Sequence, residues 1–220
     1  MKFSKIAAGL AALSISTAGM AELVLSEGFD NVGALAGAGW VQVNRSTNPG
    51  TPYFQGNPGV FTAAAGAADS YVAANYQSGV GTISNWLITP VLTFDSRILI
   101  DFMVRAAGDG FIDGLEVRLS TNGASTNVGV GAFSAGDFST LLGFYYANTD
   151  EGWVAQHLGY EGLAAGTQGR LAFRYFVDDT NVNGNYIGID SLRVSVPEPA
   201  SLALAGLALS GMLFSRRRRA

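Results

Sequence analysis

Through the middle of the chain, apolar side chains recur at every second position in short runs separated by glycine, asparagine and proline. In Leu115-Glu116-Val117-Arg118-Leu119 the apolar residues share one face and the charged pair takes the other. In Leu171-Ala172-Phe173-Arg174-Tyr175-Phe176-Val177, Leu171, Phe173 and Tyr175 fall together and Arg174 lies opposite. A period of two is that of a strand with one buried face, so Glu116 and Arg118 are expected to point outward. The same reading predicts strands near 23–27, 40–44, 60–62, 71–75, 86–94, 98–105, 114–120, 141–146, 171–177 and 186–194. Gly123, Gly129, Gly131, Gly136 and the run from Asn181 to Gly184 supply turn chemistry between them. Many short strands without helical stretches predict an all-β, antiparallel sandwich of the jelly-roll type. No internal repeat of solenoid length interrupts it. Roughly 175 residues are ample for one domain core.

Both ends break this pattern. Lys2 and Lys5 precede an apolar run from Ile6 to Ile15 and a small-x-small site at Gly19-Met20-Ala21. That is the form of a secretory signal peptide over residues 1–21, with the mature chain starting at Glu22. At the other end, Val196-Pro197-Glu198-Pro199 leads into uncharged Ala200 to Phe214 and then Arg216, Arg217, Arg218 and Arg219. The prolines keep the chain extended and exposed as a hinge. The Leu- and Ala-rich run predicts a transmembrane helix apolar all round. It reaches roughly 22 Å, short of the ~30 Å hydrocarbon core, and is a marginal span. The arginines belong on the cytoplasmic side.

The order Pro197-Glu198-Pro199, apolar helix, Arg216–Arg219 resembles the PEP-CTERM sorting signal of Gram-negative bacteria, over residues 196–220. The resemblance implies a precursor held in the inner membrane until an exosortase processes it near Pro-Glu-Pro. A simple tail anchor and a buried C-terminal helix are the plainer readings.

A second resemblance covers nearly all of residues 29–194. It is carried by Phe29-Asp30, Gly39-Trp40, Val43-Asn44 and Phe54-Gln55-Gly56-Asn57. Ser70-Tyr71-Val72-Ala73-Ala74-Asn75 and Ile83-Ser84-Asn85-Trp86-Leu87-Ile88-Thr89-Pro90 follow. Asp113 to Gly123, Gly169 to Tyr175 and Tyr186-Ile187-Gly188-Ile189-Asp190 complete it. In this order the segments resemble the choice-of-anchor J domain, a secreted bacterial β-sandwich related to cleaved-adhesin and MAM-like jelly rolls. Tyr53 stands where a Trp is expected, and the aromatic character survives. The family implies a fold over residues 22–195 and a destination, and brings no catalytic or ligand residues.

Charge sharpens the picture. With Lys2, Lys5 and the four terminal arginines set aside, seven of the 13 basic residues remain. Setting aside Glu198 leaves sixteen of the 17 acidic ones, so the exported segment carries −9 and no lysine. Nucleic-acid binding, which needs basic patches, is excluded as an expectation. There is no cysteine, so stability rests on the core.

The candidate chemistry is sparse. His157 is the sole histidine and lies outside any nucleophile-elbow motif, so a surface or half-buried residue is its default. Asp178-Asp179 and Asp109 with Asp113 are candidate carboxylate pairs for glycan hydrolysis, although as residues of Gly- and Asn-rich loops they read as solvated turns. Asp109 to Gly114 lacks the ligands an EF-hand needs at its third, fifth and twelfth positions. Trp40, Trp86 and Trp153 offer sugar-stacking rings, although Trp86 reads as core. Glu27, Asp30 and Asp190 could hold a structural calcium where the first and last strands meet; otherwise Asp190 bonds backbone amides. The sequence therefore predicts an exported, non-enzymatic sandwich. It would be delivered to the cell envelope or extracellular matrix, with exosortase and the inner membrane as transient partners and exopolysaccharide as a candidate ligand. A secreted glycan-active hydrolase is the alternative.

Overall fold

A computed structural model describes residues Ala21–Pro197. Residues 1–20 of the predicted signal peptide, Glu198, Pro199, the predicted apolar helix and Arg216 to Arg219 lie outside the described residues, whereas Ala21, the last residue of that predicted peptide, opens the first of the strands. Among the described residues no helix is long and apolar enough to cross a membrane.

Among the described residues fourteen strands form in chain order: β1 (Ala21–Glu27), β2 (Val41–Asn44), β3 (Asn48–Pro49), β4 (Phe54–Gln55), β5 (Val72–Asn75), β6 (Gly79–Val80) and β7 (Ile83–Ile88). After them come β8 (Leu92–Phe94), β9 (Arg97–Ala106), β10 (Asp109–Ser120), β11 (Thr140–Thr149), β12 (Val154–Glu161), β13 (Thr167–Val177) and β14 (Tyr186–Pro197). Two short 3-10 helices, Val32–Ala38 and Tyr76–Ser78, interrupt them. The first sheet runs β12-β9-β14-β5-β4, with β1 beside the second half of β14. The second runs β11-β10-β13-β7-β2, with β8 beside the first half of β13. Every pairing is antiparallel. This is the predicted sandwich.

The core lies between the sheets because alternate residues of the long central strands face inward. Ile98, Ile100, Phe102 and Val104 of β9 meet Leu115, Val117 and Leu119 of β10 and Leu171, Phe173 and Tyr175 of β13. Phe102 packs edge-on against Phe173, ring centroids 5.3 Å apart. Each such side chain contributes about 1.5–3 kcal/mol when fully buried.

The run predicted as one strand over 86–94 is two. Pro90 has no N–H to give a ladder, and Thr89 Oγ1 instead accepts the Leu171 amide at 3.0 Å. The predicted strand at 60–62 is a turn. Strand β12 has no counterpart in the prediction, since its half-buried face mixes Val154, Leu158 and Tyr160 with Gln156, weakening the alternation.

Glu116 and Arg118 do lie opposite the inter-sheet core, but they do not reach solvent as expected. The loop of residues 121–139 folds back over the outer face of the second sheet and covers them. Beneath it Trp86, Ile88, Val128, Phe138 and Ala172 form a separate apolar cluster. Trp86 is thus buried outside the sandwich core. Glu116 Oε2 accepts from Arg118 Nε at 2.6 Å and Arg174 Nη1 at 2.9 Å. Arg174 Nη2 donates to the Ala132 carbonyl, and Arg118 Nη1 to that of Phe138 at 3.2 Å. The Arg174 guanidinium lies 4.9 Å over Trp86 and 4.2 Å over Phe176.

The first sheet has its own cover, residues 56–71. Phe61 and Tyr71 stack at 5.1 Å and pack with Ala73 and Tyr186, while Trp153 donates to the Thr62 carbonyl at 2.8 Å. Gly188 forms the floor: a Cβ there would stand 2.8 Å from Tyr71 Cδ2 and 2.9 Å from Phe61 Cε2. Only a residue without a side chain lets both rings lie on the sheet.

Candidate functional site

At the end of the first sheet where β14 begins, three segments converge on a cleft of about 310 Å³. Its walls are Tyr76 from the short helix after β5, Asp109 and Phe111 from the start of β10, and Thr180, Asn181, Asn183, Gly184 and Asn185 from the turn before β14. The pairs Asn75↔Tyr186 and Ile187↔Ala106 bring these segments together.

Local chemistry fixes each wall. Asn75 Oδ1 caps the short helix that carries Tyr76 by accepting the Gln77 amide at 3.0 Å, and the Tyr76 amide donates to the Asn185 carbonyl at 2.9 Å. Asp179 Oδ1 accepts both the Asn181 amide and Asn181 Nδ2, at 2.9 and 2.8 Å. Gly184, at φ +89°, takes the left-handed turn that a side chain would resist, and its amide donates to the Ile112 carbonyl at 2.9 Å. Asn183 Oδ1 accepts the Ile112 amide at 3.3 Å.

Asp113 underlies the cleft and corrects an expectation. It is a fully buried residue of β10 rather than a solvated turn residue. Oδ1 accepts the Tyr175 hydroxyl at 2.6 Å and the Asn185 amide at 2.9 Å, and Oδ2 accepts the Tyr186 amide at 3.2 Å. Burial pushes its carboxyl above the ordinary carboxylate value, against those hydrogen bonds, and pushes the Tyr175 hydroxyl well up. Both oxygens are spent on architecture, so Asp109 and Asp113 do not face each other as a free carboxylate pair. Asp178 and Asp179 likewise accept amides of their own turn, at 2.9 Å each.

Two cleft walls are aromatic and half in solvent: Tyr76 is 51% and Phe111 47% exposed. Neither stood out in the sequence. The available signal was position, an aromatic outside an alternating run: Tyr76 opens the short helix after β5 and Phe111 follows Gly110 at the start of β10. The tryptophans weighed as stacking rings lie elsewhere. Trp40 is in the inter-sheet core, Trp86 beneath the loop of residues 121–139, and Trp153 against Phe61 and Tyr71.

The proposed calcium ligands sit near β1 and β14, which pair as expected. Asp190 and Glu27, however, already meet donors, and Asp30 is exposed. Asp190 Oδ2 accepts the amides of Ala64 and Ala65 at 2.8 and 3.0 Å, and Oδ1 accepts the Ser191 hydroxyl at 3.2 Å. Glu27 Oε1 accepts the Phe29 amide at 2.8 Å. Asp30 reaches toward Gly66. Among the described residues no group of three or more His, Cys, Asp or Glu side chains is placed to hold a metal. N–H donors aimed at Asp190 fit an anchored loop and do not fit a cation. His157 is exposed, with Nδ1 2.5 Å from Asp101 Oδ1.

β14 extends to Pro197, which pairs with Ala21, with one bulge between Asp190 and Arg193 where Ser191 takes a φ of 54°. The PEP-CTERM protein-sorting motif matches residues 195–219, beginning inside that strand. No curated protein sequence matches the chain. Among solved structures, the fold is similar to the K3 cleaved adhesin domain of Lys-gingipain from Porphyromonas gingivalis. That likeness has 19% identity and a TM-score of 0.57, over 80% of this chain and 99% of that one. The K1 domain of the same protein gives 22% and 0.56 over 79% and 98%, and the K2 domain 19% and 0.55 over 77% and 96%. At these identities the likeness shows the fold, an antiparallel β-sandwich resembling the cleaved adhesin domains.

Proposed function

We propose that this protein is exported as a choice-of-anchor J sandwich, tethered briefly in the inner membrane, and cut by an exosortase near Pro197-Glu198-Pro199. It is then delivered to the envelope surface or extracellular matrix. There its role is structural or adhesive and non-catalytic, with an exopolysaccharide or other envelope glycan as ligand. The observation that carries this reading is the sorting motif at residues 195–219, which starts in the last strand of the domain and leaves no linker between them. Likeness to the cleaved adhesin domains of Lys-gingipain supports a binding role. The engagement of Asp113, Asp178 and Asp179 in hydrogen bonds of the fold argues for binding over hydrolysis.

Mass spectrometry of the native protein from the host envelope tests the reading. Processed protein is expected to end near Pro197 to Pro199 and to lack Arg216 to Arg219. Retention of the arginines in the mature protein would replace sorting with a permanent tail anchor. Replacing Glu198 and both prolines by alanine is expected to preserve export but hold the full-length chain in the inner membrane.

A further inference from the structure

The cleft where β14 begins is outfitted for one class of ligand. Burying large aromatics is favourable, yet Tyr76 and Phe111 stand half in water at its walls while most other large aromatics of the domain are packed. Between them the lining is amide and hydroxyl: Thr180, Asn181, Asn183 and Asn185. Asn181 commits its Nδ2 to Asp179, which leaves Oδ1 for a ligand hydroxyl. Asn183 commits its Oδ1 to the Ile112 amide, which leaves Nδ2 with only a long 3.4 Å contact to Asp178. Rings that offer an apolar face, beside short amides that donate and accept, match a pyranose, which has C–H faces and a rim of hydroxyls.

Charge narrows the class further. The single charged lining residue is Asp109, no arginine lines the cleft, and Asp178 and Asp179 lie in the adjoining turn. A uronate or sulfated sugar would meet repulsion with no cation to offset it. The walls are also held before any ligand arrives, by Asp113 below and Asp179 at the side, so little ordering cost is left to binding. At about 310 Å³ the space is at the lower end for small-molecule sites and fits a mono- or disaccharide unit.

Resting on the glycan-binding reading above, we infer that this cleft binds an uncharged saccharide unit, stacked on Phe111 and Tyr76 and hydrogen-bonded by Asn181 and Asn183. The test is an array of neutral oligosaccharides (β-glucan, xylan and mannan fragments) and acidic ones (alginate and hyaluronan fragments), probed with the full chain in detergent. The wild type is expected to retain at least one neutral probe. Tyr76→Ala and Phe111→Ala are expected to weaken that binding by roughly tenfold or more each, as for aromatic anchors in general. Both side chains are half-exposed, so the variants are expected to melt with the wild type. Phe133→Ala, at a 73% exposed aromatic on the other loop, is expected to bind as the wild type. Neutral binding undiminished in both cleft variants would overturn the cleft and leave the glycan reading standing. Retention of acidic probes alone would overturn the ligand class. Failure of the wild type to bind any probe would overturn both.

Discussion

Two long loops fold back over the two outer faces of this sandwich, and they are fastened by opposite chemistries. Residues 56–71 are held by an anion: the buried Asp190 carboxylate takes two consecutive loop amides, over a floor of Gly188 with Phe61 and Tyr71 laid on it. Residues 121–139 are held by a cation: buried Arg174 reaches the Ala132 carbonyl while Glu116 balances its charge from the sheet. Backbone N–H groups demand an acceptor and carbonyls a donor, so the loop group presented to the sheet selects the anchor's sign. A carboxylate can be neutralised by a proton. A guanidinium cannot, and it needs a counter-charge to be buried at all. The anchor of the first cover can therefore change charge with pH, while that of the second depends on its partner.

The largest expected effect is at the cationic anchor. Arg174→Ala removes the more buried of the two guanidinium partners of Glu116, leaving Arg118, and with it the bond to the Ala132 carbonyl and the packing on Trp86 and Phe176, and is expected to cost about 3 kcal/mol in urea unfolding. Pairing it with Glu116→Gln should cost less than the two changes added together. A loss below about 1 kcal/mol would mean that the cluster is not an electrostatic unit. At the other cover, Gly188→Ala puts a methyl into the rings of Tyr71 and Phe61 and is expected to cost about 1–3 kcal/mol. Hydrogen exchange should then rise at the Ala64 and Ala65 amides and stay unchanged in residues 121–139. Equal rises on both faces would show that the covers are one cooperative unit.

Asp190→Asn is expected to cost about 1–2 kcal/mol, and to do so unevenly with pH. Burial raises the Asp190 carboxyl above its ordinary 3.8, so the native state holds this proton at pH values where the unfolded chain has released it. That contribution to stability is complete below the unfolded value and is lost as pH rises through the folded one. The wild type's advantage over the variant should therefore be largest in acid and shrink upward. A constant offset across the series would remove titration from the account. The smallest effect is reserved for metal. With Asp190 bonded to amides, EGTA is expected to shift the melting temperature by less than about 1 °C, and a fall of several degrees would restore a calcium site near β1 and β14.

The sandwich was legible because β10 and β13 alternate plainly, and Leu115, Val117, Leu119, Leu171, Phe173 and Tyr175 lie where that period puts them. The covers were not legible. Glu116, Arg118 and Arg174 carry the outward signature of solvated residues, and only the return of the loop that follows β10 covers them. Alternation reports which side of a strand a residue takes, and is silent on what lies over that side. Asp113 was misread for a related reason, since its Gly-rich surroundings are turn chemistry by composition but belong to an extended β10. The cleft was the least legible part, being assembled from a short helix, the start of a strand and a turn far apart in sequence. The sorting motif, by contrast, is contiguous, and every part of its signal is readable in one stretch.

β14 also has a mechanical meaning. It begins beside the cleft at Tyr186 and ends at Pro197, so its twelve residues cover roughly 40 Å between the proposed saccharide cleft and the matched sorting motif. Tension between a polymer bound at that cleft and whatever attachment the processed C-terminus receives would run along this strand. It is flanked by β9 on one side and by β5 and then β1 on the other. Their hydrogen bonds lie across the line of pull and resist as a set in shear, instead of opening one after another from an end. The strand that carries the sorting motif is thus placed to act as the tendon of the domain.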